Sequence, residues 1–347
     1  MGNKRVTIKD ISTKLGVSYA IINRALNNKA GVSEEMKARI LKTADELGYR
    51  VNKVAQSMAR ATLTIGVVIP SDWQEYYSVL RQGIDKEFDR LLDYNVESKY
   101  YIVDNIHSSR ETVNTLKQCI EDGITGIILC DVFPTGLEKV MEELKSSNIP
   151  IVLIGGTQNI DAKCLCSVQV DAYRSGQMAC EMMSFLTGSS EKEKDVVIFV
   201  GNKDNIEHRL KIDGFSDYAK NSNLNLIGIY ETHDDDMIAH QLIKKIMGEV
   251  NDLDGIYLAT ANSASVCNVI ENGGYNTKII STDVYDKIAE YINKDVIQCT
   301  IFQDLERHGR SAVKALYEYI ADQKEPEDKI LITPQLIIKS NLDAYYK

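Results

Sequence analysis

Residues 6–28 constrain the fold of this chain more than any other stretch. Their sequence, VTIKDISTKLGVSYAIINRALNN, predicts two short helices joined by a tight turn at Gly16. Thr7 followed by Asp10 is typical of a helix start, because the two side chains can satisfy free main-chain N–H groups, and Ser18 can start the second helix in the same way. This stretch therefore predicts a compact helical pair.

The two predicted helices each have an apolar face. The apolar residues at helical spacing are Ile8, Ile11, Leu15, Ile22, Ala25 and Leu26. Tyr19, Ala20, Asn23 and Arg24 fall on the outer face of the second helix. A first helix lying across the phosphates can bring the start of a second helix into the DNA major groove, where the base pairs differ. The pattern predicts a helix-turn-helix. An ordinary helical hairpin without a DNA-binding role is the alternative, because the apolar residues would form its core equally well.

The charge of the chain is unevenly distributed. The formal net charge is −10, but residues 1–60 carry 12 Lys and Arg against 5 Asp and Glu, and the remainder carries 28 against 45. A basic head on an acidic body indicates that affinity for nucleic acid resides in the head.

From residue 63 onward, short apolar runs alternate with helical patterns. The runs are LTIGVVIP, ITGIILCDV, IPIVLIGG, DVVIFVGN, LNLIGIY, DGIYLAT and TKIISTDV. Runs of this kind are typical of buried parallel strands, and strand and helix in alternation predict a doubly wound α/β body. The 347 residues are too many for one compact core, so two or three domains are expected.

Several function classes are disfavoured by the sequence. The seven cysteines are scattered and mostly lie in apolar runs, so we expect reduced core residues, no metal site and a cytoplasmic protein. No apolar run approaches the length of a membrane span, and we expect no membrane partner and no export. Nucleotide-binding and hydrolase motifs are missing and the histidines are dispersed, so we predict no enzyme activity, no catalytic residue and no cofactor.

Residues 10–28, DISTKLGVSYAIINRALNN, followed by GVS at 31–33 and ELGYRVN at 46–52, resemble the headpiece of the lactose-repressor (LacI/GalR) family of bacterial regulators. The resemblance implies a small all-α helix-turn-helix head at 1–51, a hinge helix and linker at 52–62, and a two-lobed α/β body at 63–347 like that of periplasmic binding proteins. It places lobe 1 at about 63–170 and 304–325, and lobe 2 at about 171–303 and 326–347.

The resemblance also implies a set of DNA contacts. Tyr19, Ala20 and Arg24 would contact operator bases, and Met58 of the hinge helix would wedge into the minor groove. The alternative for Met58 is a linker residue packed on the next domain. The full predicted DNA-binding set is Thr7, Ser18, Tyr19, Ala20, Asn23, Arg24, Asn27, Asn52, Lys53, Ala55 and Met58.

For the body, the resemblance implies a small effector, a sugar, bound between the lobes at the carboxyl ends of the strands. The predicted effector-binding residues are Trp73, Tyr76, Tyr77, Asp131, Asp171, Arg209, Lys211, Asn262, Asp283 and Gln303. Lys211 stands where the family carries an arginine. Two alternatives stay open: Tyr76 can pack under the first helix of the body, and Asp283 can cap the helix that follows it.

The predicted function is a transcription regulator whose affinity for operator DNA is controlled by the effector. We expect a homodimer on a near-palindromic operator, acting in the bacterial cytoplasm at the nucleoid. An extracytoplasmic solute-binding protein would have the same body, but the basic head and the lack of a signal peptide argue against it.

Overall fold

The computed structural model describes residues 6–26, 30–49, 61–71, 74–104, 108–130, 136–156, 164–188, 192–250, 252–260 and 264–346. The chain divides into two compact units, Met1–Ala61 and Thr62–Lys347. The first unit is helical where it is described, and the second is built on two sheets.

The head contains helices α1 (Ile8–Leu15), α2 (Tyr19–Leu26) and α3 (Glu34–Glu46). The Asp10 carboxylate accepts hydrogen bonds from the main-chain N and the hydroxyl of Thr7, both at 2.7 Å. Gly16 ends α1 with a left-handed backbone, φ 67°, which lets the chain turn directly into α2. The buried core of the head consists of Ile11, Ile22, Ala25, Ile40 and Ala44.

The body begins with a series of alternating strands and helices. They are β1 (Leu63–Pro70), α4 (Gln74–Arg90), β2 (Val96–Val103), α5 (Ser109–Glu121), β3 (Gly126–Cys130), α6 (Glu138–Ser146), β4 (Ile151–Ile154) and β5 (Cys166–Val170), with a short 3₁₀ helix at Leu92–Tyr94. These strands form one parallel sheet, in which β1 is flanked by β2 and β3. The interiors of β1, β3, β4 and β5 are almost entirely buried because helices cover both faces, whereas the edge strand β2 is largely exposed.

The second half repeats the pattern. Its elements are α7 (Ala172–Thr187), β6 (Lys194–Val200), α8 (Ile206–Ala219), β7 (Leu224–Glu231), α9 (Asp236–Glu249), β8 (Gly255–Leu258), α10 (Ala264–Gly273), β9 (Lys278–Thr282), α11 (Asp286–Asn293), β10 (Cys299–Phe302), α12 (Leu305–Asp322), β11 (Lys329–Ile332), β12 (Gln335–Ile338) and a 3₁₀ helix at Lys339–Ala344. The second sheet has the order β12-β10-β9-β8-β6-β7, and β12 runs antiparallel to β10.

The chain passes between the two sheets three times. It leaves the first sheet after β5, returns after β10 so that α12 packs on the first sheet, and leaves again between β11 and β12. Strand β11 pairs with β5 in the first sheet. The first lobe therefore extends to Ile332, whereas the sequence placed residues 326–347 in the second lobe. The reason is that β11 supplies the edge next to β5, and only β12 completes the second sheet.

The predicted fold class, a small helical head and a two-lobed doubly wound body, is confirmed. No helix in the described ranges is long and apolar enough to cross a membrane.

Candidate functional site

The outer face of α2 carries four exposed side chains. Tyr19 has 52% of its surface exposed, and Ala20, Asn23 and Arg24 are exposed as well. Their spacing places them on one side of the helix, because residues four apart lie above one another. The structure therefore brings these four predicted DNA contacts together on one surface of the head.

Main-chain and side-chain bonds hold the turn before this surface. The Ser12 hydroxyl donates to the carbonyl of Val17 at 2.7 Å, and the Ser18 carbonyl accepts the N–H groups of Ile21 and Ile22 at the start of α2. Thr7 and Ser18 are both exposed. A phosphate group can reach either hydroxyl without any change in the helical core.

Eight of the predicted site residues lie outside the described residues, and their roles stay predictions. They are Asn27, Asn52, Lys53, Ala55, Met58, Trp73, Asp131 and Asn262.

In the body, Asp283 and Gln303 meet at the carboxyl end of the second sheet. The Asp283 carboxylate accepts a hydrogen bond from the Gln303 main-chain N at 2.9 Å and another from its Nε2 at 2.5 Å. Asp283 has a left-handed backbone, φ 60°, and its carbonyl accepts the Thr300 hydroxyl at 2.6 Å. The residue that precedes and caps α11 is Tyr285, so Asp283 is not the helix cap that the sequence left open.

A buried ammonium group lies near this carboxylate. Lys211 of α8 is 3% exposed, and its Nζ donates to the carbonyl oxygen of Ala259 at 3.5 Å. Burial lowers the pKa of Lys211, while neighbouring carboxylates, Asp283 and Asp234 among them, act in the opposite direction. Burial raises the pKa of Asp283 against the effect of the Gln303 bonds and of Lys211. The site thus places a basic and an acidic side chain near one another, away from water.

Two glycines seat Lys211 by bringing α7 and α8 close together. A Cβ atom on Gly176 would lie 2.0 Å from the carbonyl oxygen of Lys211, and one on Gly214 would lie 2.0 Å from the carbonyl oxygen of Tyr173. A side chain at either position would push the two helices apart, because packed interiors have no room for the extra atoms. The glycine pair therefore fixes the position of Lys211 beneath the carboxyl ends of the strands.

A second, partly buried carboxylate, Asp234, was not predicted from the sequence. Both His233 and Asp234 have left-handed backbones, φ 51° and 54°, in the turn after β7. The Thr260 hydroxyl donates to Asp234 Oδ1 at 2.5 Å, and a Cβ on Gly201 would lie 2.3 Å from the same oxygen. Burial raises the pKa of Asp234. The neighbouring Asp235 caps α9. In the sequence, three consecutive Asp residues look alike, and nothing local distinguishes the partly buried Asp234 from the helix cap beside it.

Asp171 and Arg209, two further predicted effector-binding residues, have surroundings that differ from those of Asp283. Asp171 caps α7 and accepts from the main-chain N and the Nε of Arg174, both at 3.0 Å, while its own main-chain N donates to the carbonyl of Ile332. Arg209 is exposed, because it lies two positions before the buried Lys211 and thus faces away from it. Neither side chain lies with the Asp283 cluster.

The two tyrosines at the start of α4 pack on the first sheet. Tyr77 is 4% exposed in the core of that sheet, and Tyr76 packs partly buried against the same core. Their rings meet edge to face, with centroids 5.0 Å apart. For Tyr76, this corresponds to the packing alternative that the sequence left open.

The cluster offers hydrogen-bonding groups to a ligand, and the neighbouring histidine is already engaged. Burial and the nearby Lys211 lower the pKa of His208 to about 3, and its Nδ1 lies within hydrogen-bond distance of the main chain of Asn202, 3.1 Å from the N and 3.0 Å from the carbonyl oxygen. His208 is therefore neutral and engaged at pH 7. Within the described part of the chain, no group of three or more His, Cys, Asp or Glu is arranged to hold a metal ion. The remaining chemistry is hydrogen bonding to a polar ligand.

Comparison with known protein families gives two matches. Residues 7–52 match the family described as bacterial regulatory proteins, lacI family. Residues 65–324, about three quarters of the chain, match the periplasmic binding protein domain.

Similar curated proteins are regulators. The catabolite control protein A of Priestia megaterium is 26% identical over 337 residues, which cover 86% of this chain and 96% of that protein. The protein of the same name from Streptococcus mutans serotype c is 29% identical over 222 residues, covering 63% of this chain and 62% of that protein.

Solved structures share the fold of the body. A solute-binding protein from Burkholderia graminis in complex with D-arabinose has a TM-score of 0.74 at 18% identity, covering 84% of this chain and all of that chain. A solute-binding protein from Bacillus halodurans with bound myo-inositol has a TM-score of 0.72 at 17% identity, covering 82% of this chain and 97% of that chain. At these identities the likeness concerns the fold.

Proposed function

Since the chain belongs to the lacI family of bacterial regulatory proteins and carries a periplasmic binding protein domain as its body, we propose that it is a sequence-specific transcription regulator controlled by a small effector. The observation that carries the proposal is the presence in one chain of an exposed recognition face on α2 and a buried polar cluster at the carboxyl ends of a parallel sheet. The head binds DNA, and the body binds the effector.

In the proposed DNA complex, α2 enters the major groove. Tyr19, Ala20 and Arg24 contact bases, and Asn23 and Asn27 lie beside them. The guanidinium of Arg24 can pair with a guanine through two hydrogen bonds, which gives sequence discrimination. The proposed phosphate contacts are Thr7, Ser18 and Lys53, and the proposed minor-groove segment contains Asn52, Ala55 and Met58.

The proposed effector is a sugar or a related polyol. Asp283 supplies hydrogen-bond acceptors and Lys211 a donor, and both kinds of group are needed for hydroxyls that donate and accept. Solved proteins of the same fold hold myo-inositol and D-arabinose, which supports the same ligand class here. Gln303, Trp73, Asp131 and Asn262 stay in the proposed site. The exposed Arg209 and the core residue Tyr77 contribute less, given their positions in the structure.

We propose that the protein acts as a homodimer on a near-palindromic operator. A single short recognition helix reads few base pairs, and two heads related by a twofold axis read two matching half-sites. The proposed location is the bacterial cytoplasm, at the nucleoid, where operator DNA is found.

A solute-binding function without DNA is the second candidate, and the fold of the body favours it as much as the first. Binding of promoter DNA separates the two. A mobility-shift titration with DNA from the protein's own chromosomal neighbourhood, in excess random DNA, should give a specific complex that a sugar weakens or strengthens. A protein that binds specific and random DNA equally would reject the proposed regulator.

A further inference from the structure

The hydroxyl of Tyr285 is buried and has no hydrogen-bond partner among the described residues. The side chain is 7% exposed, and its ring packs with the apolar residues on the α9–α11 face of the second sheet. A phenylalanine would fill the same space without burying an unpaired polar atom, which is costly in a protein interior. The described residues therefore give this hydroxyl no hydrogen bond of standard geometry in exchange for its burial.

The position of Tyr285 relates this hydroxyl to the proposed effector site. It follows Asp283 by two residues, in the bend between β9 and α11. The Tyr285 side chain is close enough to lower the pKa of Asp283, although no hydrogen bond of standard geometry joins the two. Two acceptor positions of the Asp283 carboxylate are filled by Gln303, so the carboxylate is already held in place beside a free phenol.

The first lobe also approaches Tyr285. Burial and the Asp283 carboxylate raise the pKa of Tyr285, and the carboxylate of Glu75, in the first turn of α4, raises it further. Glu75 also contributes to the raised pKa of Tyr346. Glu75 is exposed at the carboxyl end of β1. Tyr285 is thus within electrostatic reach of the first lobe and follows a strand at its carboxyl end, which is the region where this fold binds ligands.

We propose that Tyr285 is a specificity-determining residue of the effector site, whose hydroxyl hydrogen-bonds a ligand hydroxyl that also donates to Asp283. The inference rests on the proposed function, since it takes the effector to be a polyol. A phenol can donate to the ligand oxygen while the carboxylate accepts the ligand proton, so the two side chains together recognise one hydroxyl group. A ligand lacking that hydroxyl would leave both buried groups unpaired, which gives strong discrimination.

The test compares Tyr285→Phe with two matched variants that also remove only a hydroxyl. Tyr257 has a buried unpaired hydroxyl in the same sheet but is fully enclosed and stacked on Phe215. Tyr100 has a bonded hydroxyl, which donates to Asp85 at 2.5 Å. Without ligand, Tyr285→Phe and Tyr257→Phe should melt at or above the temperature of the parent, and Tyr100→Phe should melt below it.

The ligand arm uses D-arabinose, myo-inositol, D-allose and D-glucose as probes, with calorimetric titration of whichever sugar stabilises the parent. Tyr285→Phe should bind that sugar at least tenfold more weakly, and Tyr257→Phe should bind it like the parent. Equal affinity of Tyr285→Phe and the parent, or a loss of melting temperature like that of Tyr100→Phe, would overturn the assignment. If no probe binds the parent, the proposed effector class fails, and the ligand-free melting comparison still decides whether the hydroxyl has a structural partner.

Discussion

Replacing Asp283 by Asn should separate effector binding from folding. A carboxylate offers about four acceptor positions, and Gln303 occupies two of them. Two stay available for ligand hydroxyls. The amide of Asn has one oxygen, and the Gln303 main-chain N already uses half of its capacity. The ligand therefore loses one acceptor, and its remaining bond becomes neutral.

The expected loss of affinity follows from these bonds. A hydrogen bond to a charged group contributes about 1.5–3 kcal/mol, and a neutral one about 0.5–1.5 kcal/mol. Losing one charged bond and weakening the other costs roughly 2.5–4.5 kcal/mol in total, which corresponds to an effector affinity about 70- to 2,000-fold weaker. Folding should suffer less, because the Gln303 side-chain amide can turn over and accept a hydrogen bond from the Nδ2 of the new Asn. Burial raises the pKa of Asp283, so the folded environment disfavours the ionised carboxylate, and a neutral amide relieves that cost near pH 7.

The assay titrates the operator complex with the effector and follows thermal unfolding of the ligand-free protein. Asp283→Asn should bind operator like the parent, respond only at higher effector concentration, and melt no lower than the parent. Asp235→Asn is the matched control, because Asp235 caps α9 at the same edge of the same sheet and Asn caps about as well. An unshifted response curve for Asp283→Asn would remove this carboxylate from the effector site, and a large drop in melting temperature would show that its role is structural.

Three further changes test other parts of the molecule. Arg24→Ala should weaken specific operator binding by about 1–3 kcal/mol with unchanged circular dichroism, and an unchanged ratio of specific to random DNA binding would make Arg24 a phosphate contact. Met58→Ala should reduce DNA bending and specific affinity while sparing effector binding, and equal bend angles for variant and parent would favour the linker role. The pKa of His208 is lower in the folded protein than in the unfolded chain, so the free energy of unfolding should fall as the pH drops from 6.5 towards 3. In urea unfolding at pH 7 and pH 5, the parent should lose up to about 1.4 kcal/mol of this free energy per pH unit more than His208→Gln does. Equal losses for the parent and His208→Gln would contradict this prediction.

The sequence predicted the buried central strands of both sheets, but it did not predict strands β2 and β5. The runs at β1, β3, β4, β6, β8 and β9 are apolar because helices and neighbouring strands enclose them, and β7 was predicted from its apolar run although it is a partly exposed edge strand. β2 was not among the predicted runs, since it is an edge strand with exposed Glu97, Ser98 and Lys99. β5 was also missed because it buries two polar residues, Ser167 and Gln169, which bond to each other at 2.9 Å. Satisfied polar groups in a core leave no apolar run to detect.

The residues of the candidate effector site were also predicted only in part. Asp283 and Gln303 follow recognisable strands, so their positions at the sheet edge could be predicted from the sequence together with the family resemblance. Asp234 could not, because its burial depends on Thr260 and on the space above Gly201, which are 26 and 33 positions away in the chain. Asp235 next to it has the local pattern of a helix cap, which the sequence does reveal. A carboxylate whose environment is built by distant strands has no comparable local pattern.

The bonds of Asp283 also connect the effector site with the segments that join the lobes. Gln303 lies where the chain leaves β10 for the first lobe, and the next residue, Asp304, has φ 57° and caps α12, which packs on the first sheet. The other two crossings are joined by the bond from the Asp171 main-chain N to the carbonyl of Ile332. An effector hydroxyl that binds Asp283 therefore acts on a carboxylate that already holds one of the three crossings. A ligand that fits one arrangement of this crossing better than another shifts the population between them, because only a difference in affinity can move such an equilibrium. We expect the response to effector to depend on Gln303 for this reason, even where Gln303 itself does not touch the ligand.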